Sequence, residues 1–196
     1  MLILVDATSA WADDPDNMVP TGTYAPVCLA ETIDTASRVC QTDNASISVY
    51  MQSSVSSNMN GRIRDALDNS FDATASLAVS YTTSPVYSGA GETDIIYQQG
   101  SMPAAGVIGI TWCNDDVDSA VYKCDQTYIR FTTSSTYEHR ALTCHETGHA
   151  VGLTHGAQAY PVTANSSSKL GCMVTPYDVD AYTLGSNNVA EINETY

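Results

Sequence analysis

The chain has 196 residues, 43% of them hydrophobic, enough for one domain with a sizeable core. Its 22 acidic and 7 basic side chains leave a net charge of −15, which argues against nucleic acid and anionic membrane as partners, since both present like charge. No apolar run in it approaches the roughly 18 residues that cross a bilayer.

The chain opens on Met1-Leu2-Ile3-Leu4-Val5, and Ala10-Trp11-Ala12 has the small residues that signal peptidase cuts after. This stretch reads either as the tail of a signal peptide or as a strand over residues 1–6. Residues 13–44 read as loop, so residues 1–44 form an N-terminal arm, either ordered or part of a pro-region. The main domain is expected over 45–196. Ile47 to Met51 alternates as a first strand. Met59, Ile63, Ala66, Leu67, Ser70 and Phe71 recur at helical spacing, which predicts a helix over 57–73. Strands follow over Leu77–Tyr81, Asp94–Gln98, Gly106–Cys113 and Tyr128–Phe131. The next helix is predicted to start at Ser135 or Thr136, with Glu138 near its positive end, and to run to about Val151. A last helix fits Ser186–Thr195, with Ser186 as cap and Val189 and Ile192 on one side.

The second helix ends in His145-Glu146-Thr147-Gly148-His149-Ala150-Val151-Gly152-Leu153-Thr154-His155, which holds three of the four histidines of the chain. His145 and His149 are four apart and share a helix face, so both reach one metal at about 2.0–2.1 Å. Glu146 is rotated by about 100° from His145 and is placed to take a proton from a metal-bound water. Gly152 can adopt φ > 0 and end the helix, which lets His155 swing back as third ligand. Three ligands and an open position suit a catalytic zinc ion, since structural sites fill all four positions with protein groups. His139 is expected to be an exposed helix residue and no ligand.

This motif resembles that of the metzincin zinc metallopeptidases, and Gly171-Cys172-Met173-Val174 resembles their Met-turn. Within the family the chain looks most similar to small prokaryotic matrixin-like secreted proteases. Gly156 follows the third histidine and Thr175 stands where some subfamilies carry a tyrosine, so Tyr177 is not expected to bind zinc. The resemblance implies an α+β zincin fold: a twisted, mostly parallel five-stranded sheet with an antiparallel edge strand, a backing helix, the zinc-motif helix and a C-terminal helix. It implies Met173 as a base beneath the histidines, substrate pairing along Gly109, Ile110 and Thr111, and Pro176 and Tyr177 as a pocket wall.

Six cysteines point to an oxidising compartment and hence secretion. They allow fifteen pairings. The short-range ones are Cys28–Cys40, Cys113–Cys124 and Cys144–Cys172, the last joining the zinc helix to the Met-turn. A cysteine zinc site is set aside, as no Cys-x-x-Cys occurs. Acidic runs at Asp13–Asp16, Asn114–Asp118 and Asp178–Asp180 could hold structural calcium, but none matches an EF-hand loop. The reading is a monomeric secreted zinc endopeptidase acting on proteins or peptides, with Glu146 as general base. The alternative is an inactive metzincin-like binding module that retains zinc.

Overall fold

The computed structural model describes residues 14–89, 91–117 and 120–196. The signal-peptide or strand reading of the first residues, together with Asp13 and Asp118 of the acidic runs, lies outside them.

Six strands form one sheet among the described residues: β1 Gln41–Thr42, β2 Ser46–Met51, β3 Ala78–Tyr81, β4 Ile95–Gln99, β5 Gly109–Asp116 and β6 Lys123–Phe131. The order is β1-β6-β4-β2-β3, and β5 pairs with β6. Every pairing is parallel except β5 with β6. The expected α+β architecture holds, mostly parallel with an antiparallel edge strand, but the sheet has six strands rather than five. The extra one, β1, is two polar residues with no alternation to read. It is a strand because Gln41 and Thr42 pair with Lys123 and Cys124. β4 is buried at all five positions, as befits a central strand covered on both faces.

The first helix, α1, spans Ser57–Ala66, and the Ser56 side chain caps it by accepting from Met59 N at 3.0 Å. A π-helical turn over Leu67–Phe71 replaces the α-helix expected to continue to residue 73. Met59, Ile63, Leu67 and Phe71 nonetheless share one buried face, which the wider turn keeps inside the core. The second helix, α2, spans Arg140–Ala150, with His139 as its N-cap and a separate 3-10 turn over Ser135–Tyr137. The predicted start at residue 135 or 136 is therefore too early, because Glu138 is not at the helix end. Its buried carboxylate accepts instead from Ser56 Oγ, Asn58 Nδ2 and Gln99 Nε2, and those donors hold its pKa below the usual carboxylate value. The third helix, α3, spans Ser186–Thr195. Gly185 is its N-cap and donates its N–H to Asn188 Oδ1 at 3.2 Å, so Ser186 is the first helical residue rather than the cap.

From Asp14 onward the arm packs into the same core. Met18 and Val19 are buried. Asp16 bridges Tyr160 and Met18 bridges Leu153, while Thr154 N–H donates to Asn17 O at 2.7 Å. Three disulfides tie the chain, with Cα separations of 5.9 Å for Cys28–Cys40, 5.7 Å for Cys113–Cys124 and 5.9 Å for Cys144–Cys172. The first two lie side by side in a buried cluster.

Candidate metal centre

The histidine motif is shaped by how α2 stops. Gly152 sits at φ +97°, its N–H donates to His149 O at 3.1 Å, and Leu153 N–H donates to Gly148 O at 2.8 Å. This is a Schellman motif, and a side chain at Gly152 would both strain that backbone and press on Met18 Sδ and Gln41 Cγ at 2.9 Å. The reversal returns His155 to the helix face that carries His145 and His149. The three ring centroids lie 4.8, 5.1 and 4.8 Å apart, and all three rings offer a nitrogen within 4.8 Å of the others.

Backbone carbonyls set the protonation of two rings. His145 Nδ1–H donates to Cys172 O and His149 Nδ1–H to Leu153 O, each at 2.8 Å. A carbonyl only accepts, so Nδ1 carries the hydrogen and Nε2 presents a lone pair. Burial drives the His145 pKa down to about 4 and that of His149 well below its ordinary value, and neighbouring imidazoles add to both shifts. Burial lowers His155 as well. Neutral imidazole is the form that binds a metal. His145 Nε2 and His155 Nε2 are 3.1 Å apart, close to the roughly 3.3 Å that separates two nitrogens on a tetrahedral zinc ion. The donor set and its spacing therefore fit zinc. The sulfurs of Cys28, Cys40 and Cys113 also converge, but each is committed to a disulfide. Among the described residues no acidic run brings together a comparable ligand group.

The floor of the site is Met173, fully buried at the end of the 3-10 turn Ser168–Met173. A Cβ at Gly148 would overlap Met173 Sδ, so the thioether lies against α2 at Gly148, the residue before His149. Cys172 contributes twice, through its disulfide to Cys144 and through its carbonyl to His145.

Glu146 points away from the floor towards β5. Thr111 Oγ1 lies 2.8 Å from its Oε2 and 3.0 Å from its carbonyl oxygen. A Cβ at Gly109 would stand 2.5 Å from Glu146 Oε1, so only glycine lets β5 pass this close. Burial raises the Glu146 pKa to about 7, against the opposing pull of the Thr111 donor. That value suits a group which takes a proton near neutral pH and returns it.

Glu146 and the three histidines open onto one cleft of about 370 Å³. Gly109, Ile110 and Thr111 line one side, and Ser37 and Arg38 of the arm line another. Thr175 reaches this cleft, but Pro176 and Tyr177 are not among its lining residues. The Tyr177 ring stacks instead on His139, centroids 6.4 Å apart. His139 is thus a half-buried N-cap rather than an exposed helix residue, and it stands outside the histidine group. Sequence reasoning missed the arm as a wall of the cleft and the Thr111 hydroxyl as the partner of Glu146. Only the Cys28–Cys40 spacing hinted at the first. A larger cavity of about 580 Å³ between the arm and α3 contains none of these groups.

No protein-family model matches the chain, and no curated protein does. Among solved structures it is similar to metalloproteinase-II from Bacteroides fragilis, with a TM-score of 0.42, 12% identity and coverage of 86% of this chain and 56% of that one. It is also similar to myroilysin, with a TM-score of 0.36, 17% identity and coverage of 66% of this chain and 52% of that one. The chain thus spans little more than half the length of either.

Proposed function

We propose that the chain is a secreted zinc-dependent endopeptidase of the metzincin type, in which His145, His149 and His155 hold the metal and Glu146 is the general base. The observation that carries this reading is the convergence of three neutral imidazoles beside a buried carboxylate, at the base of an open cleft. A zinc ion held there supplies Lewis acidity and lowers the pKa of water towards about 7. The residues do the rest. Glu146 accepts a proton from the attacking water and delivers it to the leaving amine. Thr111 orients the carboxylate through its hydroxyl. Cys172 O and Leu153 O hold two rings so that their free nitrogens point inward, and Met173 fills the space beneath. The edge of β5 offers backbone N–H and C=O groups to an extended peptide. Three disulfides support secretion, and no described helix is long and apolar enough to cross a membrane.

The test is hydrolysis of casein and of a quenched peptide library, with and without a zinc chelator, beside Glu146→Ala. The expected result is one zinc per chain, loss of cleavage on chelation, and a variant that keeps its zinc but cleaves at least about 100-fold more slowly. Equal turnover by wild type and variant would remove Glu146 from the mechanism. Zinc binding without any turnover would favour a binding module instead.

A further inference from the structure

The cleft is closed at one end by its own chain. Thr132 N–H donates to Ile108 O, so Ile108 and, two residues on, Ile110 turn their backbone groups towards β6. By the same alternation Gly109, Thr111 and Cys113 turn theirs outward. Among the described residues nothing bonds to the outward groups of Gly109 and Thr111. Cys113 is different, because its carbonyl accepts from Glu31 N–H of the arm at 2.7 Å. Just beyond it, Ala30 N–H takes Asp116 Oδ1, also at 2.7 Å. The open edge therefore stops at Cys113.

The segment that stops it is a stiff loop. Cys28 and Cys40 close its ends. Glu31, 7% exposed, gathers its middle by accepting from Ser37 N at 3.1 Å, Ser37 Oγ at 2.9 Å and the Arg38 guanidinium. The far side of this loop, at Ser37 and Arg38, is the side that lines the cleft. The loop thus blocks the sheet edge with one flank and walls the metal site with the other.

From this we infer that loop 28–40 limits how much of a substrate the edge of β5 can read. This rests on the peptidase reading above and deepens it. Glu146 contacts Gly109 and Thr111, so the reacting bond lies opposite those two residues. Cys113 is two residues further, about 7 Å at the rise of a strand. A peptide paired with β5 can extend only about two residues past the reacting bond on that side before it meets Glu31 and must leave the edge. On the other side the strand begins at Gly109 and Val107 N–H donates to Ala104 O, so there it is the strand's own approach, not the arm, that bounds the edge. The substrate class is an extended peptide whose segment on the Cys113 side of the cut is held to about two residues by the arm.

The experiment lengthens a cleaved peptide one residue at a time at either end, with blocked termini. It reads kcat/KM with the zinc-loaded enzyme and affinity with Glu146→Ala by fluorescence anisotropy. On one side both readouts should stop improving after about the second residue. Two variants then loosen the loop, Glu31→Ala and the pair Cys28→Ser with Cys40→Ser. In each, longer peptides on the blocked side should gain roughly fivefold, the worth of one added backbone hydrogen bond, while the shortest peptide changes little. Improvement that continues on both sides in the wild type overturns the proposal, and so does a plateau that neither variant moves. Absence of turnover with every peptide would count against the peptidase reading instead, and the binding series would still measure the edge.

Discussion

The floor and the wall of the cleft are held by different forces. The floor, formed by α2 and the turn that ends at Met173, rests on fully buried apolar packing, on backbone carbonyls and on the Cys144–Cys172 crosslink. The wall, loop 28–40, has almost no apolar core and is gathered around the carboxylate of Glu31. Arg38, the charged partner of that carboxylate, is 35% exposed. On the proposed reading the difference separates two functions. Damage to the floor should disturb metal and stability together, because the same contacts aim the rings and fill the core. Damage to the wall should alter which peptides are read while leaving the metal in place.

The largest expected effect comes from the floor. Gly148→Ala drives a methyl into Met173 Sδ. Overpacking of this kind costs about 1–3 kcal/mol, and for a chain of this size the melting temperature should fall by roughly 2–10 °C. Zinc content measured on the same preparation should fall with it. Normal stability and full zinc in this variant would break the link between floor and metal. A smaller effect is expected where the floor meets the substrate edge. Thr111→Val removes the donor to Glu146 and should lower kcat/KM by about tenfold. Since a hydroxyl donor favours the charged carboxylate, its loss raises the Glu146 pKa above the present value of about 7. In the proposed mechanism the base works when ionised, so the rising acid limb of the pH–rate profile should move to higher pH. An unmoved limb would assign Thr111 to packing alone.

The smallest effect on the site itself is expected from α3, which meets it through Asn17. Glu191 on α3 accepts from Asn17 N at 2.9 Å, and its pKa is raised to about 8, chiefly by burial. A carboxyl raised on folding contributes stability that is complete below the unfolded value near 4.5 and is lost as pH climbs through 8. Glu191→Gln should therefore flatten the decline in melting temperature across that window, by about 3 °C. A decline unchanged in the variant would place its origin elsewhere.

How much of this could be read from residues alone follows from how local each contact is. The three histidines proposed to hold the metal lie with Glu146 within eleven consecutive residues, and helix geometry plus one glycine nearly suffices to bring them together. Most strands announced themselves by apolar periodicity. The start of α2 did not, because Glu138 serves Ser56, Asn58 and Gln99 rather than the amides of its own helix. β1 stayed hidden because two polar residues become a strand only when β6 lies beside them. The wall was equally silent. Nothing around Glu31 tells that its N–H will meet Cys113, and nothing around Thr111 tells that its hydroxyl will meet a carboxylate 35 positions later.

One long-range tether has a consequence for assembly. The segment that bears His155 is braced by Asn17, whose side-chain amide and backbone carbonyl both bond to Thr154 across a separation of 137 residues. On the proposed reading α2 alone brings two of the three rings together, whereas the segment that bears the third is moored through the contact of Asn17 with Thr154. If zinc binds as proposed, its tight retention would report that these two distant regions of the molecule have docked on each other.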